Sequence, residues 1–340
     1  MKKNLLFILT LSIVVVISCK NKVESEQFSA THILEKYPDS IKIGGMTFNY
    51  GFKNQILAHN NGKYDSTLIV EKFYKPNQYL FDSCFNFFPN KIYSLNEVKK
   101  WNKTYLKDFD SIVWKQVNFL MKQNIDSLFR KHLNAVQKIT GIKGNAKFLA
   151  YFPPKNQGIS GGCNSQSMAF DLMFKIEDDN YLKRVIPHEI EHTIYENMVG
   201  KDPYFQTGIG VTLDEGLATY FEHKYLKIPR DEMIGSKDDF EWFIENEQRI
   251  FEKLEPFFFK GSDNACTLLY HFDRSSDCEP IFPNIPNKII EKNLGYILGF
   301  RIIEHYEKVN GLDSWKDIYK MSPKEFYLKS KYQKYIQNFK

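Results

Sequence analysis

The chain has 340 residues, 43% hydrophobic and 26% charged, long enough for one large domain or two ordinary ones with real cores. Its formal charge of +5 is mild and unclustered, which excludes a nucleic-acid-binding role. There is no internal repeat, so hydrophobic periodicity and turn residues have to carry the reading.

The chain opens MKKNLLFILTLSIVVVISCKNK, in which two lysines precede an apolar run from Leu5 to Ile17. That run is too short for an ordinary membrane-spanning helix and reads as a secretion signal. Its end, Val16-Ile17-Ser18-Cys19, resembles the lipobox of bacterial lipoproteins. The resemblance implies removal of residues 1–18, lipidation of Cys19 and a place in the bacterial cell envelope, anchored to a membrane through the lipid. A plain signal peptide and an uncleaved anchor are the alternatives. Residues 19–30 are polar and read as a tether. Cys84, Cys163, Cys266 and Cys278 remain, an even number in an exported chain; Cys266 and Cys278, with eleven residues between them, are the expected disulfide.

From 31 to 115 the sequence predicts an N-terminal α/β region. Short apolar runs are broken by Gly44-Gly45, Asn60-Asn61-Gly62 and Pro76-Asn77, and DSTLIVEKFY is expected to be helical. Long helical patterns follow from Ser94 to Thr140 and stop at Gly141. AKFLAYFPP reads as a buried strand, GISGGCNSQ as a loop and SMAFDLMFK as a second strand. A helix is then expected after Asp178-Asp179-Asn180 and runs to Gly200, with Pro187 either inside it or as its first residue. The next begins near Thr212, in TLDEGLATYFEHKYL, residues 230–290 are mixed, and the close is helical, through GYILGFRIIEHY and beyond.

The stretch VIPHEIEHTIYENMVG, residues 185 to 200, carries the chemistry. At about 100° per residue, a spacing of four places His188 and His192 one turn apart on one face, where both imidazoles can reach one ion. Ile186, Ile190, Ile194 and Met198 form a stripe on the opposite side, the expected core face. Glu189 follows the first histidine and is free to serve as a base. A catalytic zinc site usually takes three protein ligands and keeps a position open. Glu215, with 22 residues between it and His192, is the candidate third, brought back by an antiparallel second helix. Two other readings stay open: Thr212 and Glu215 form a capping box, or Asp214 or Glu222 is the ligand instead.

HEIEH followed by DEGLATYF resembles the gluzincin metallopeptidases, and within them a bacterial family of predicted zinc-dependent proteases. The likeness spans roughly residues 120–310. It implies an α+β fold with a thermolysin-like zincin core: a small mixed sheet, an HExxH helix, a glutamate helix and a C-terminal helical subdomain. The helix-rich N-terminal region precedes it. The metallopeptidase-like domain is expected over 116–325, with a tail at 326–340. The resemblance further implies one Zn2+ per chain held by His188, His192 and Glu215, Glu189 as catalytic base, and a peptide or protein substrate. Asp214 and Thr219 are expected behind the ligands, Thr219 standing where such helices commonly carry an acidic residue. Tyr296 is the preferred oxyanion donor, with His271, His223 and Tyr220 as alternatives. SMAFDLMFK is expected either to hold substrate by strand addition, beside a loop freed by Gly161 and Gly162, or to be a plain internal strand. Gly295 and Gly299 are read as close-packing positions. The alternative function is a non-catalytic envelope lipoprotein that keeps the fold as a binding or assembly module.

Overall fold

The computed structural model describes residues 34–35, 37–59, 63–85, 91–154, 160–173, 180–261 and 288–338. Cys19, the tether, Cys266, Cys278 and His271 lie outside them. The fold is α+β, a small five-stranded sheet packed with several helices. Among the described residues no helix is long and apolar enough to cross a membrane.

Strands β1 (Ser40–Ile43) and β2 (Met46–Tyr50) form a hairpin across Gly44-Gly45. Gly44 takes φ +59 there, a conformation that a side chain would resist. Helix α1 (Gly51–Leu57) follows, and then a helical stretch from Ser66 to Cys84 that includes two wider-pitched segments, Ile69–Tyr74 and Leu80–Cys84. Cys84 is disulfide-bonded. Helices α2 (Leu95–Gln123) and α3 (Ile125–Thr140) meet at Asn124, whose positive φ breaks one helix and whose side chain caps the next at Ser127 N.

The remaining strands are β3 (Lys147–Tyr151), β4 (Gly161–Asn164) and β5 (Ser167–Asp171), giving the order β1-β2-β3-β5-β4. β2, β3 and β5 run parallel, while β1 and β4 are antiparallel to their neighbours. Parallel strands are covered on both faces and so read as continuous apolar runs, which is why FLAY and MAF are buried throughout. Phe129 of α3 packs on Phe48 and Phe148, at ring separations of 4.5 and 5.2 Å.

One sequence expectation needs correction here. GISGGCNSQ is not a loop, since it contains β4; glycine carries no strand preference of its own, and the pairing to β5 decides the conformation. Of the two readings of SMAFDLMFK, residues 167–171 take the internal one, forming β5 with β3 on one side and β4 on the other. Residues 115 and 116 both lie within α2, and β1 and β2 share one sheet with β3–β5.

The second half is helical: α4 (Tyr181–Val199), α5 (Gly208–Leu226), α6 (Lys237–Leu254), α7 (Lys288–Asn310), a 3-10 segment at Ser314–Lys320, α8 (Pro323–Ser330) and α9 (Tyr332–Gln337). Pro187 lies inside α4, not at its start. It removes one backbone hydrogen bond there, a cost that packing of the buried Ile186, Ile190 and Ile194 offsets. Met198 is 48% exposed and so leaves the expected stripe. Each four-residue step over-rotates by about 40°, and by the fourth member the stripe has wound off the core. Helix α6 begins with a capping box between Ser236 and Asp239, and its Glu247 accepts from Arg301 of α7 at 2.6 Å.

Candidate metal centre

Helices α4 and α5 lie antiparallel, as two cross-helix bonds record: His188 Nδ1 donates to Glu222 Oε1 and His192 Nδ1 to Asp214 Oδ1, both at 2.8 Å. Between those anchors Glu215 faces both rings. Its Oε2 is 3.5 Å from His188 Nε2 and 3.3 Å from His192 Nε2. His188, His192 and Glu215 therefore form a cluster with one ligand atom each, all within 4.8 Å of one another, capable of holding a metal ion.

The donor set fits an ion. Glu215 Oε2 is buried and makes no well-aligned hydrogen bond among the described residues; its contacts are the two ring nitrogens, an arrangement of donor atoms that an ion between them would satisfy. Ligand atoms about 2.0–2.1 Å from a tetrahedral zinc stand about 3.3 Å apart, close to both separations. With each Nδ1 proton committed to a carboxylate, the Nε2 atoms are left to bind metal.

The electrostatics of the cluster point the same way. Burial opposes charge on His188, but the Glu215 and Glu222 carboxylates raise its pKa to about 10. Burial likewise opposes charge on His192, and Asp214 and Glu215 carry its pKa well above the ordinary value. Burial would raise Glu215, yet the two imidazoles hold it well below the usual carboxylate range. The cluster is thus organised around positive charge between the rings and the carboxylate, where a divalent ion can replace protons.

The capping-box alternative for Glu215 fails because α5 begins at Gly208, not near Thr212. Gly208 and Gly210 hide that first turn from a propensity reading, and Thr212 lies inside the helix, its hydroxyl donating to Gly208 O at 2.7 Å. Thr219 is not behind an imidazole either: its hydroxyl donates to Glu215 O at 2.9 Å. The carboxylate at His188 comes instead from Glu222. Seven residues bring it within about 20° of the direction of Glu215, two turns further along.

Glu189 is buried beside the cluster; burial raises its pKa, His192 and His188 lower it, and Glu215 and Asp214 raise it again. Gly161, the first residue of β4, faces it: a Cβ there would stand 3.9 Å from Glu189 Oε2. Tyr296 on α7 stacks near His188 at 6.5 Å. Burial, then the adjacent Glu215 carboxylate, hold its phenol well above the ordinary pKa. Gly299 sets that approach, because α7 touches α5 backbone to backbone at Gly216. Tyr220 and His223 are engaged elsewhere, the first donating to Glu307 and the second bonding Ile228 O.

Behind His192 lies a second acidic group that the sequence reading passed over. Glu191 is fully buried, accepts from Tyr319 of the 3-10 segment at 2.9 Å, and with His192 and Asp214 forms another set of potential ligand atoms. Because His192 Nδ1 and Asp214 already bond each other, this set acts as support for the first cluster. The helical wheel could have found Arg184, one turn before His188 on the same face, where it donates to Glu222 Oε2 at 2.9 Å.

Compared with protein-family models, curated proteins and solved structures, the chain matches none.

Proposed function

We propose that the chain is a membrane-anchored, zinc-dependent metallopeptidase of gluzincin type, with His188, His192 and Glu215 as ligands and Glu189 as general base. The observation that carries this reading is the convergence of two imidazole nitrogens and the Glu215 carboxylate oxygen, beside the buried Glu189 carboxylate on the helix that carries both histidines. Two imidazole nitrogens and one carboxylate oxygen are donor types that would hold zinc. When bound, zinc supplies Lewis acidity, polarising a carbonyl and making water acidic near neutral pH.

The chain's own residues do the rest. Glu189 takes a proton from the attacking water and delivers it to the departing amine, a task for which burial, by raising its pKa, suits it. Asp214 and Glu222 hold the two rings in the tautomer that presents Nε2. Tyr296 is the donor assigned to the developing oxyanion. Extended substrate adds to the outer edge of β4, the last strand of the sheet, in place of the internal β5. A thermolysin-like core is supported by the antiparallel edge strand followed by two antiparallel site helices, and the lipid anchor by the Cys19 sequence alone.

The test is zinc content and hydrolysis of a broad peptide library, measured on the 20–340 fragment beside Glu189→Gln and His192→Ala. One zinc per chain with hydrolysis abolished in Glu189→Gln is the expected result. Stoichiometric zinc in a chain that cleaves nothing sinks the peptidase and favours a binding or assembly module.

A further inference from the structure

We propose that Arg184 is a positioning residue of the metal site, acting on His188 through Glu222; this rests on the metallopeptidase reading and extends it. Glu222 is nearly buried, with a side chain 6% exposed, and both its oxygens are used: Oε1 accepts from His188 Nδ1 at 2.8 Å and Oε2 from Arg184 Nε at 2.9 Å. Arg184 is itself fixed, since its Nη2 donates to Met233 O at 2.7 Å in the connection between α5 and α6.

The need for this arrangement follows from where the carboxylate comes from. Thr219 turns its hydroxyl to the backbone of Glu215, so no acidic group reaches His188 from one turn beyond the ligand. Glu222 reaches it from two turns beyond, on a side chain with three torsions, the last of them broad. A single bond to an imidazole leaves such a carboxylate free to rotate, and the other oxygen unpaired in a buried place. The planar guanidinium removes both freedoms, one N–H on the carboxylate and another on a backbone carbonyl. Because Arg184 precedes His188 by one turn on α4, the helix that carries the ligand also carries the group that aligns its partner. The imidazole is thus held by a chain of three bonds from Met233 O to His188 Nδ1, and Nε2 keeps its direction toward the ion.

The experiment uses the full chain and two metals, zinc and cobalt(II). Zinc affinity is read by competition with a chromophoric chelator, and coordination by the visible spectrum of the cobalt form. Arg184→Gln is expected to weaken zinc by about tenfold, the low end for groups that support a ligand, and to alter the cobalt spectrum. Arg184→Lys recovers part of the loss, because an ammonium reaches Glu222 or the carbonyl but does not span both. In a Glu222→Gln chain, adding Arg184→Gln costs less than about twofold more, since the two act as one unit. An undiminished affinity in Arg184→Gln, or an equal loss with and without Glu222, overturns the inference alone. A wild-type chain that takes up neither metal overturns the metallopeptidase reading and this inference with it.

Discussion

Gly216 of α5 and Gly299 of α7 meet backbone to backbone: a Cβ on Gly216 would fall 2.3 Å from Gly299 C, and one on Gly299 would fall 1.9 Å from Thr212 O. Gly216 follows Glu215 directly, and Tyr296 lies one turn before Gly299. One close crossing therefore places both side chains at the cluster of His188, His192 and Glu215. Alanine at either position has to push the helices apart, since the obstructing atoms are backbone. Gly216→Ala is expected to cost about 2–3 kcal/mol or more in urea unfolding, and to weaken zinc uptake at the same time. Full zinc affinity in a destabilised Gly216→Ala chain would show that the crossing serves packing only.

Thr219 and Asp214 separate what the sequence suggested from what the geometry supports. The Thr219 hydroxyl serves the backbone, so Thr219→Val is expected to leave zinc affinity within about threefold of wild type. Asp214→Asn removes the charge at His192 Nδ1 and should weaken zinc by about 10–100-fold. Chelator competition on the two variants checks both; a large loss in Thr219→Val would place that hydroxyl on an imidazole after all.

The elements legible in the sequence were those where local pattern and tertiary packing agree. The isoleucine stripe of α4, the two-histidine spacing and the continuous apolar runs of β3 and β5 each follow from periodicity. The elements missed were built from glycine or from distant partners. β4 and the first turn of α5 contain Gly161, Gly162, Gly208 and Gly210, residues whose conformation is set by the neighbours they touch. The partner of His188 was illegible for a different reason. Asp or Glu at several helical offsets can reach a ligand, and only the offset between the antiparallel helices selects Glu222 over position 219.

His132 sets an acid limb of stability. Burial lowers its pKa from 6.5 to about 4; the residue is 2% exposed, Nδ1 meets the Tyr225 hydroxyl at 3.1 Å, and Nε2 has no hydrogen-bond partner among the described residues. Above pH 6.5 the ring is neutral in both states and costs nothing. As pH falls from 6.5 to 4 the unfolded chain takes up the proton and the folded chain does not, so stability is lost across that window. The loss is on the order of 3 kcal/mol. Urea unfolding of His132→Phe should be flatter than wild type between pH 6.5 and 4; parallel curves would mean that the histidine titrates normally.

Gly161 begins the edge strand β4 and faces Glu189. Its φ of +129 is a conformation that side chains rarely adopt, and its missing Cβ leaves space 3.9 Å from Glu189 Oε2. Alanine there meets two penalties: backbone strain of about 1–3 kcal/mol, and a methyl group beside the Glu189 carboxylate, the proposed base. Neither touches His188, His192 or Glu215, so Gly161→Ala should keep its zinc while kcat/KM for peptides falls by at least about tenfold. The zinc measurement gives the comparison its force. If zinc is lost together with activity, β4 supports the metal centre and is not the strand that receives substrate. If both survive, the space beside Glu189 is not where the peptide lies.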